Sequence, residues 1–130
     1  MICPYCGKPA RWVDNKVVYG KRFGKSFMMR WCEPCDARGG CHQNTQKPLG
    51  TMADAHLRGA RAGMHELFDP LWKSGLMTRN EAYRRLHEAA GYEVHFGETT
   101  LESCAKLVTI IQQEFKWELS MGPIDPNSKE

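Results

Sequence analysis

Two Cys-x-x-Cys pairs, Cys3-Pro4-Tyr5-Cys6 and Cys32-Glu33-Pro34-Cys35, stand 25 residues apart in a chain of 130. Two thiolates at this spacing grip one metal ion from a tight turn, and two such turns complete the closed tetrahedral site that suits structural Zn²⁺. Gly7, directly after the first pair, tolerates the positive φ such a turn asks for. The spacing therefore predicts one zinc ion held by Cys3, Cys6, Cys32 and Cys35. An ion enclosed by four sulfurs offers no position to a reactive water, so it reads as structural and not hydrolytic. A dithiol redox role would need one pair to open a helix within a βαβ unit, and neither has that setting.

The residues between the pairs alternate short bulky runs with turn signals. Ala10 to Val13 reads as a strand, Asp14-Asn15 as a turn, and Lys16-Val17-Val18-Tyr19 and Phe27 to Trp31 as two further strands. This arrangement resembles a zinc ribbon over about residues 1–41. So short a module buries little core, and the metal supplies folding free energy on the order of 10 kcal/mol or more.

Gly20-Lys21-Arg22-Phe23-Gly24-Lys25-Ser26 invites comparison with a phosphate-binding loop, but its two glycines enclose three residues where that motif has four. A bulky run ending at Cys32 follows it in place of a helix, so the segment reads as a hairpin tip before the second cysteine turn. Residues 1–47 carry nine Lys/Arg against three carboxylates, a net +6, whereas residues 48–130 carry nine against twelve, a net −3. Six aromatics fall within residues 5–31, more than a ribbon can hide. Cations at Lys21, Arg22, Lys25, Arg11 and Arg30, with Phe23 among them, are the expected contacts to phosphates and unstacked bases of DNA or RNA. The alternative is a solvated turn with Phe23 folded back on the sheet.

The second half has helical periodicity. Leu57, Ala60, Met64, Leu67 and Leu71 share one face, and Asp69-Pro70 predicts a break. Thr78 to Glu81 matches a capping box opening a helix over 79–90, closed at Gly91, and Thr99 to Glu102 matches a second, opening a helix with Leu101, Cys104, Val108, Ile111 and Phe115 on its apolar face. The expected fold is α+β: a β zinc ribbon at 1–42, a linker at 43–51, a three-helix domain at 52–118 and a tail at 119–130. Arg79, Arg84 and Arg85 are candidates for groove contacts, but the acidic balance of this half favours packing or partner binding. Cys41, His42, His95 and Cys104 pair at no metal-ligand spacing and read as buried thiols and surface imidazoles, with replacement of Cys35 by Cys41 as the alternative.

The sequence as a whole resembles a family of short phage and bacterial zinc-finger-containing proteins of unknown function. The segments that carry the likeness are CPYCGKPA, WCEPCDAR, CHQNTQKPLGTMAD, FDPLWKSGLMTRNEAYRRL and HFGETTLESC, spanning residue 1 to about residue 112. The resemblance implies zinc at Cys3, Cys6, Cys32 and Cys35 and a phage or prophage setting. It implies no particular activity.

No apolar run approaches the roughly 20 residues of a membrane helix, and Met1-Ile2-Cys3-Pro4 has no signal-peptide character, so a soluble cytoplasmic protein is expected. The functional expectation is a non-enzymatic accessory protein that binds nucleic acid through its ribbon. The competing expectation is an adaptor or inhibitor docking on a host polymerase, nuclease or defence enzyme.

Overall fold

The computed structural model describes residues 1–21, 24–42 and 45–121. It is an α+β chain in which a small antiparallel sheet precedes helices, divided into two compact units, Met1–Gly59 and Ala60–Glu130.

In the first unit, β1 (Arg11–Asp14), β2 (Met28–Cys32) and β3 (Ala37–Gly40) form an antiparallel sheet in that order. Arg11 faces Trp31, and Trp31 faces Arg38; Cys32 faces Ala37. Because side chains alternate along a strand, Arg11, Trp31 and Arg38 form one cross-strand row, while Cys32 and Ala37 belong to the opposite face. There they are buried with Cys3 and Met52 in a cluster that also takes in Ala10 and Cys35. Three of the four candidate ligand cysteines, Cys3, Cys32 and Cys35, thus belong to the core of this unit, whereas Cys6 is exposed.

Residues 16–19 correct the sequence reading. The expected strand is instead α1 (Asn15–Tyr19). The Asp14 carboxylate accepts from the Lys16 N–H at 2.9 Å, capping the helix, and Gly20 ends it at φ +77°. A cap at each end outweighs the strand preference of two valines. Asn15, fully buried, then ties this turn to the far side of the hairpin. Its N–H donates to the Phe27 oxygen at 2.9 Å, and its Nδ2 donates to the Lys25 oxygen at 3.3 Å.

The free side of β3 is occupied. Arg38 and Ala53 exchange backbone hydrogen bonds of 3.0 and 2.9 Å, and the Leu49 N–H donates to the Gly40 oxygen. The Tyr5 hydroxyl accepts from the Asp54 N–H at 3.1 Å, joining the first cysteine turn to the same segment.

Five helices follow the sheet among the described residues, where three were expected. α2 (Ala55–Phe68) stops at Asp69-Pro70, as anticipated, and α3 (Pro70–Lys73) continues for one turn. α4 (Arg79–Ala90) is capped by Thr78, whose hydroxyl accepts from the Glu81 N–H, and ends at Gly91 with φ +83°. α5 (Leu101–Glu114) is capped by Thr100 and not Thr99, because the Ser103 hydroxyl completes the reciprocal pair. Thr99 is instead buried, donating to the Phe96 oxygen at 2.7 Å, while its carbonyl accepts from Arg61 Nη2 at 2.7 Å. A break at Phe115 separates α6 (Lys116–Met121).

The core of the second unit centres on Phe68, which meets Tyr83, Phe96 and Phe115 edge-on at 4.8, 5.4 and 5.9 Å between ring centres. Met64, Leu71, Leu86, Leu107 and Ile111 complete it. Leu107 takes the place expected of Val108, which is only half-buried, and Leu101, also expected on this face, is exposed. No helix among the described residues is long and apolar enough to cross a membrane.

Candidate metal centre

The four sulfurs of Cys3, Cys6, Cys32 and Cys35 all lie within 4.8 Å of one another, and Cys6 and Cys32 are 3.7 Å apart across 26 positions of sequence. A tetrahedral ion with Zn–S bonds of about 2.3 Å places its sulfurs about 3.8 Å apart. The donor set and spacing therefore fit Zn²⁺.

The two turns close differently but end alike. The Gly7 N–H donates to the Cys3 oxygen at 2.9 Å, and the Asp36 N–H donates to the Glu33 oxygen at 3.0 Å. The residue after each second cysteine is left-handed, Gly7 at φ +74° and Asp36 at φ +50°. For Asp36, a residue with a Cβ, that conformation is held by Arg58.

The turns also set the thiol chemistry. Burial alone pushes the Cys3 thiol up, but hydrogen bonds from the backbone N–H groups of Tyr5 and Cys6, with those from the Cys32 and Cys6 side chains, bring it down to about 7 from 9.0. Cys32 is hydrogen-bonded by the Cys35 N–H, which lowers it, yet burial and the thiols of Cys6 and Cys3 leave it raised. Burial and the crowd of neighbouring sulfurs push Cys35 up to about 12. Of Cys3, Cys32 and Cys35, Cys3 is thus the one most readily offered as a thiolate, and a cation must displace the protons of the other two.

A model of the family described as a zinc-finger-containing domain matches residues 1–114. The chain belongs to this family. No curated protein and no solved structure matches it.

In this zinc-finger protein the other thiols stand apart from the metal cluster. Cys41 is buried beside the Gln46 carbonyl, with its sulfur at 3.9 Å, and Cys104 is buried against the Thr99 hydroxyl at 3.2 Å. His42 is exposed, and His95 lies 3.7 Å from the Glu93 carboxylate. Among the described residues the four-cysteine group is the cluster able to hold a metal.

The residues expected to meet nucleic acid are distributed over the sheet and its hairpin. Lys21 and Lys25 are exposed at the tip, whereas Arg22 and Phe23 lie outside the described residues. Arg30 faces Trp12 across the sheet and donates to Gln46 Oε1 at 2.9 Å. Arg11 places its guanidinium 5.5 Å from the centre of the Trp31 ring and 3.7 Å from Glu33. The pairing register brings in Arg38, counted in the sequence among the cations of residues 1–47 but not among the expected contacts, and with it Tyr19. Arg38 lies beside Trp31, and its guanidinium sits 5.0 Å from the Tyr19 ring. The result is a row in which cations and rings alternate, Arg11, Trp31, Arg38 and Tyr19. Alternation within each strand was visible in the sequence, but only the register aligns the strands. In the second unit, Arg84 pairs with Glu81 and Glu88, and Arg85 with Glu114 and Glu118, so both arginines are engaged within the fold.

Proposed function

We propose that the chain is a cytoplasmic, non-enzymatic accessory protein of a phage or prophage that binds nucleic acid through its zinc-finger unit. The observation that carries this reading is the row of Arg11, Trp31, Arg38 and Tyr19, set in a segment with net charge +6. Guanidinium groups beside aromatic rings suit a strand of phosphates and bases, because the same surface offers charge to the backbone and flat apolar faces to the bases. The metal contributes rigidity and not chemistry, since four sulfurs leave it no open position.

The test is a titration of labelled single-stranded DNA, single-stranded RNA and duplex DNA over a series of salt concentrations. Affinity should fall steeply as salt rises, and Arg11→Ala and Lys25→Ala should each weaken binding and flatten that dependence. Absence of binding, or binding indifferent to salt, would overturn the reading.

A second reading has its own support. An apolar cleft of about 200 Å³ in the second unit is lined by Leu67, Pro70, Leu71, Leu76 and Leu119, with Glu66 and Glu118 in its wall. It suits an apolar anchor of a host polymerase, nuclease or defence enzyme, carried next to a cation. Stoichiometric recovery of one host protein after nuclease treatment, abolished by Leu67→Glu, would favour this reading over the first.

A further inference from the structure

A second cleft of about 220 Å³ lies against the metal centre, with Cys6 and Cys32 in its wall beside Pro9, Pro34 and Trp31. Pockets for drug-sized ligands run from about 300 Å³ upward, so this cleft suits something nearer to a single heteroaromatic ring system. Prolines give it flat, stiff walls that carry no backbone N–H. That disfavours a bare phosphate, which would seek converging N–H donors, and favours a ring held by stacking.

The cations stand where a ring attached to a phosphate would need them. Lys8 and Arg11 both line the cleft, and Lys8 pairs with no carboxylate among the described residues. Arg11 is already stacked over Trp31 and is paired with Glu33 at 3.7 Å, with both side chains more than half exposed. An exposed pair of that length is worth little and is readily exchanged for a phosphate. Trp31 also carries a buried indole N–H with no acceptor among the described residues.

We propose that this cleft takes one unpaired nucleobase of a single strand, stacked against Trp31, with its flanking phosphates on Lys8 and Arg11. The inference rests on the nucleic-acid reading above and narrows it to single strands, because a base held in a duplex presents its edges and not its faces. Glu33 opposes the ligand, being the one carboxylate in the cleft wall.

The experiment uses the full zinc-loaded chain and fluorescence anisotropy with three probes: a short oligothymidylate, an abasic strand of equal length and charge, and the same oligothymidylate in duplex. Oligothymidylate should bind about tenfold or more tighter than the abasic strand, the scale of one stacked base. Glu33→Gln should tighten that binding by freeing Arg11, a gain that a merely structural Glu33 would not give. Trp31→Leu should remove the preference for bases while leaving salt-dependent binding to the abasic strand. In cobalt-substituted protein the thiolate charge-transfer bands report whether each variant still folds, and they should shift when oligothymidylate enters beside Cys6 and Cys32. Equal affinity for oligothymidylate and the abasic strand would overturn the base site while leaving phosphate-driven binding standing. No affinity for any probe would overturn both.

Discussion

Arg58 holds Asp36 at two points, donating from Nη1 to its backbone oxygen at 2.6 Å and from Nη2 to its carboxylate at 2.9 Å. The same Nη1 donates to the Ala53 oxygen at 2.9 Å. One guanidinium thereby joins the second cysteine turn to the segment that lies along β3.

Arg58→Ala should lower the stability of the zinc-bound first unit by about 1 kcal/mol, the modest figure reflecting the partial exposure of the pair. Arg58→Lys should not restore it, because a single ammonium cannot span acceptors arranged for a planar fork. Urea denaturation monitored through the zinc site checks both. A lysine variant as stable as the parent would contradict the forked geometry.

Gly7 has open space around its Cβ position, with no heavy atom within 4 Å, so any cost of a side chain there comes from the backbone. Gly7→Ala should cost about 1 kcal/mol for holding φ near +74°. Gly7→Asn should cost less, since asparagine adopts this conformation more readily. The order of the thermal midpoints, parent above asparagine above alanine, is the measurement.

Chelation of the metal should dissolve the sheet while helix signal from α4 and α5 persists, because the two units have separate cores. The core of the first is sulfur-centred on Cys3 and Cys32; that of the second is the Phe68 cluster. Hydrogen exchange resolved along the chain would show protection lost at Met29 and Trp31 but kept at Leu86 and Leu107. Loss of protection in both sets together would show that the units unfold as one.

Zinc uptake should be steeply dependent on pH. At pH 8 the metal-free site keeps protons on Cys32, which is raised, and on Cys35, pushed up to about 12, while Cys3, at about 7, is already mostly thiolate. Each ion bound then expels at least two protons, so affinity should rise with pH by about a hundredfold per unit around that point. Proton release measured with an indicator dye in weak buffer checks the count. Fewer than two protons per zinc would contradict it.

Phe68→Ala should destabilise the second unit by about 3–5 kcal/mol, since the ring is fully buried and meets three other rings. The zinc content of the folded protein should remain one ion per chain. Loss of zinc on this substitution, at a temperature where the first unit stays folded, would be unexpected.

The α+β architecture was legible because its signals are local. Two Cys-x-x-Cys pairs, a proline at 70 and a threonine three positions before Glu81 each act within a few residues. The reading failed where one local signal had to be weighed against another. Val17 and Val18 speak for a strand, but Asp14 and Gly20 cap a helix of five residues, and the caps prevailed. Thr99 and Thr100 compete to open α5, and the Ser103 hydroxyl decides for Thr100. Least legible was the row of Arg11, Trp31, Arg38 and Tyr19. Its members are scattered over 28 positions, and only strand register and a helix absent from the sequence reading bring them together.

The backbone exchange between Arg38 and Ala53, with Leu49 bonded to Gly40, has a consequence for how copies of this chain meet one another. An uncovered outer strand is a template on which another molecule's strand can add, in orderly dimers or in aggregates. Here the outward N–H and carbonyl of Arg38 and the carbonyl of Gly40 on β3 are already bonded within its own chain. Growth of the sheet from that side is blocked, so a basic, aromatic surface can remain open to a ligand without the neighbouring edge recruiting a second copy.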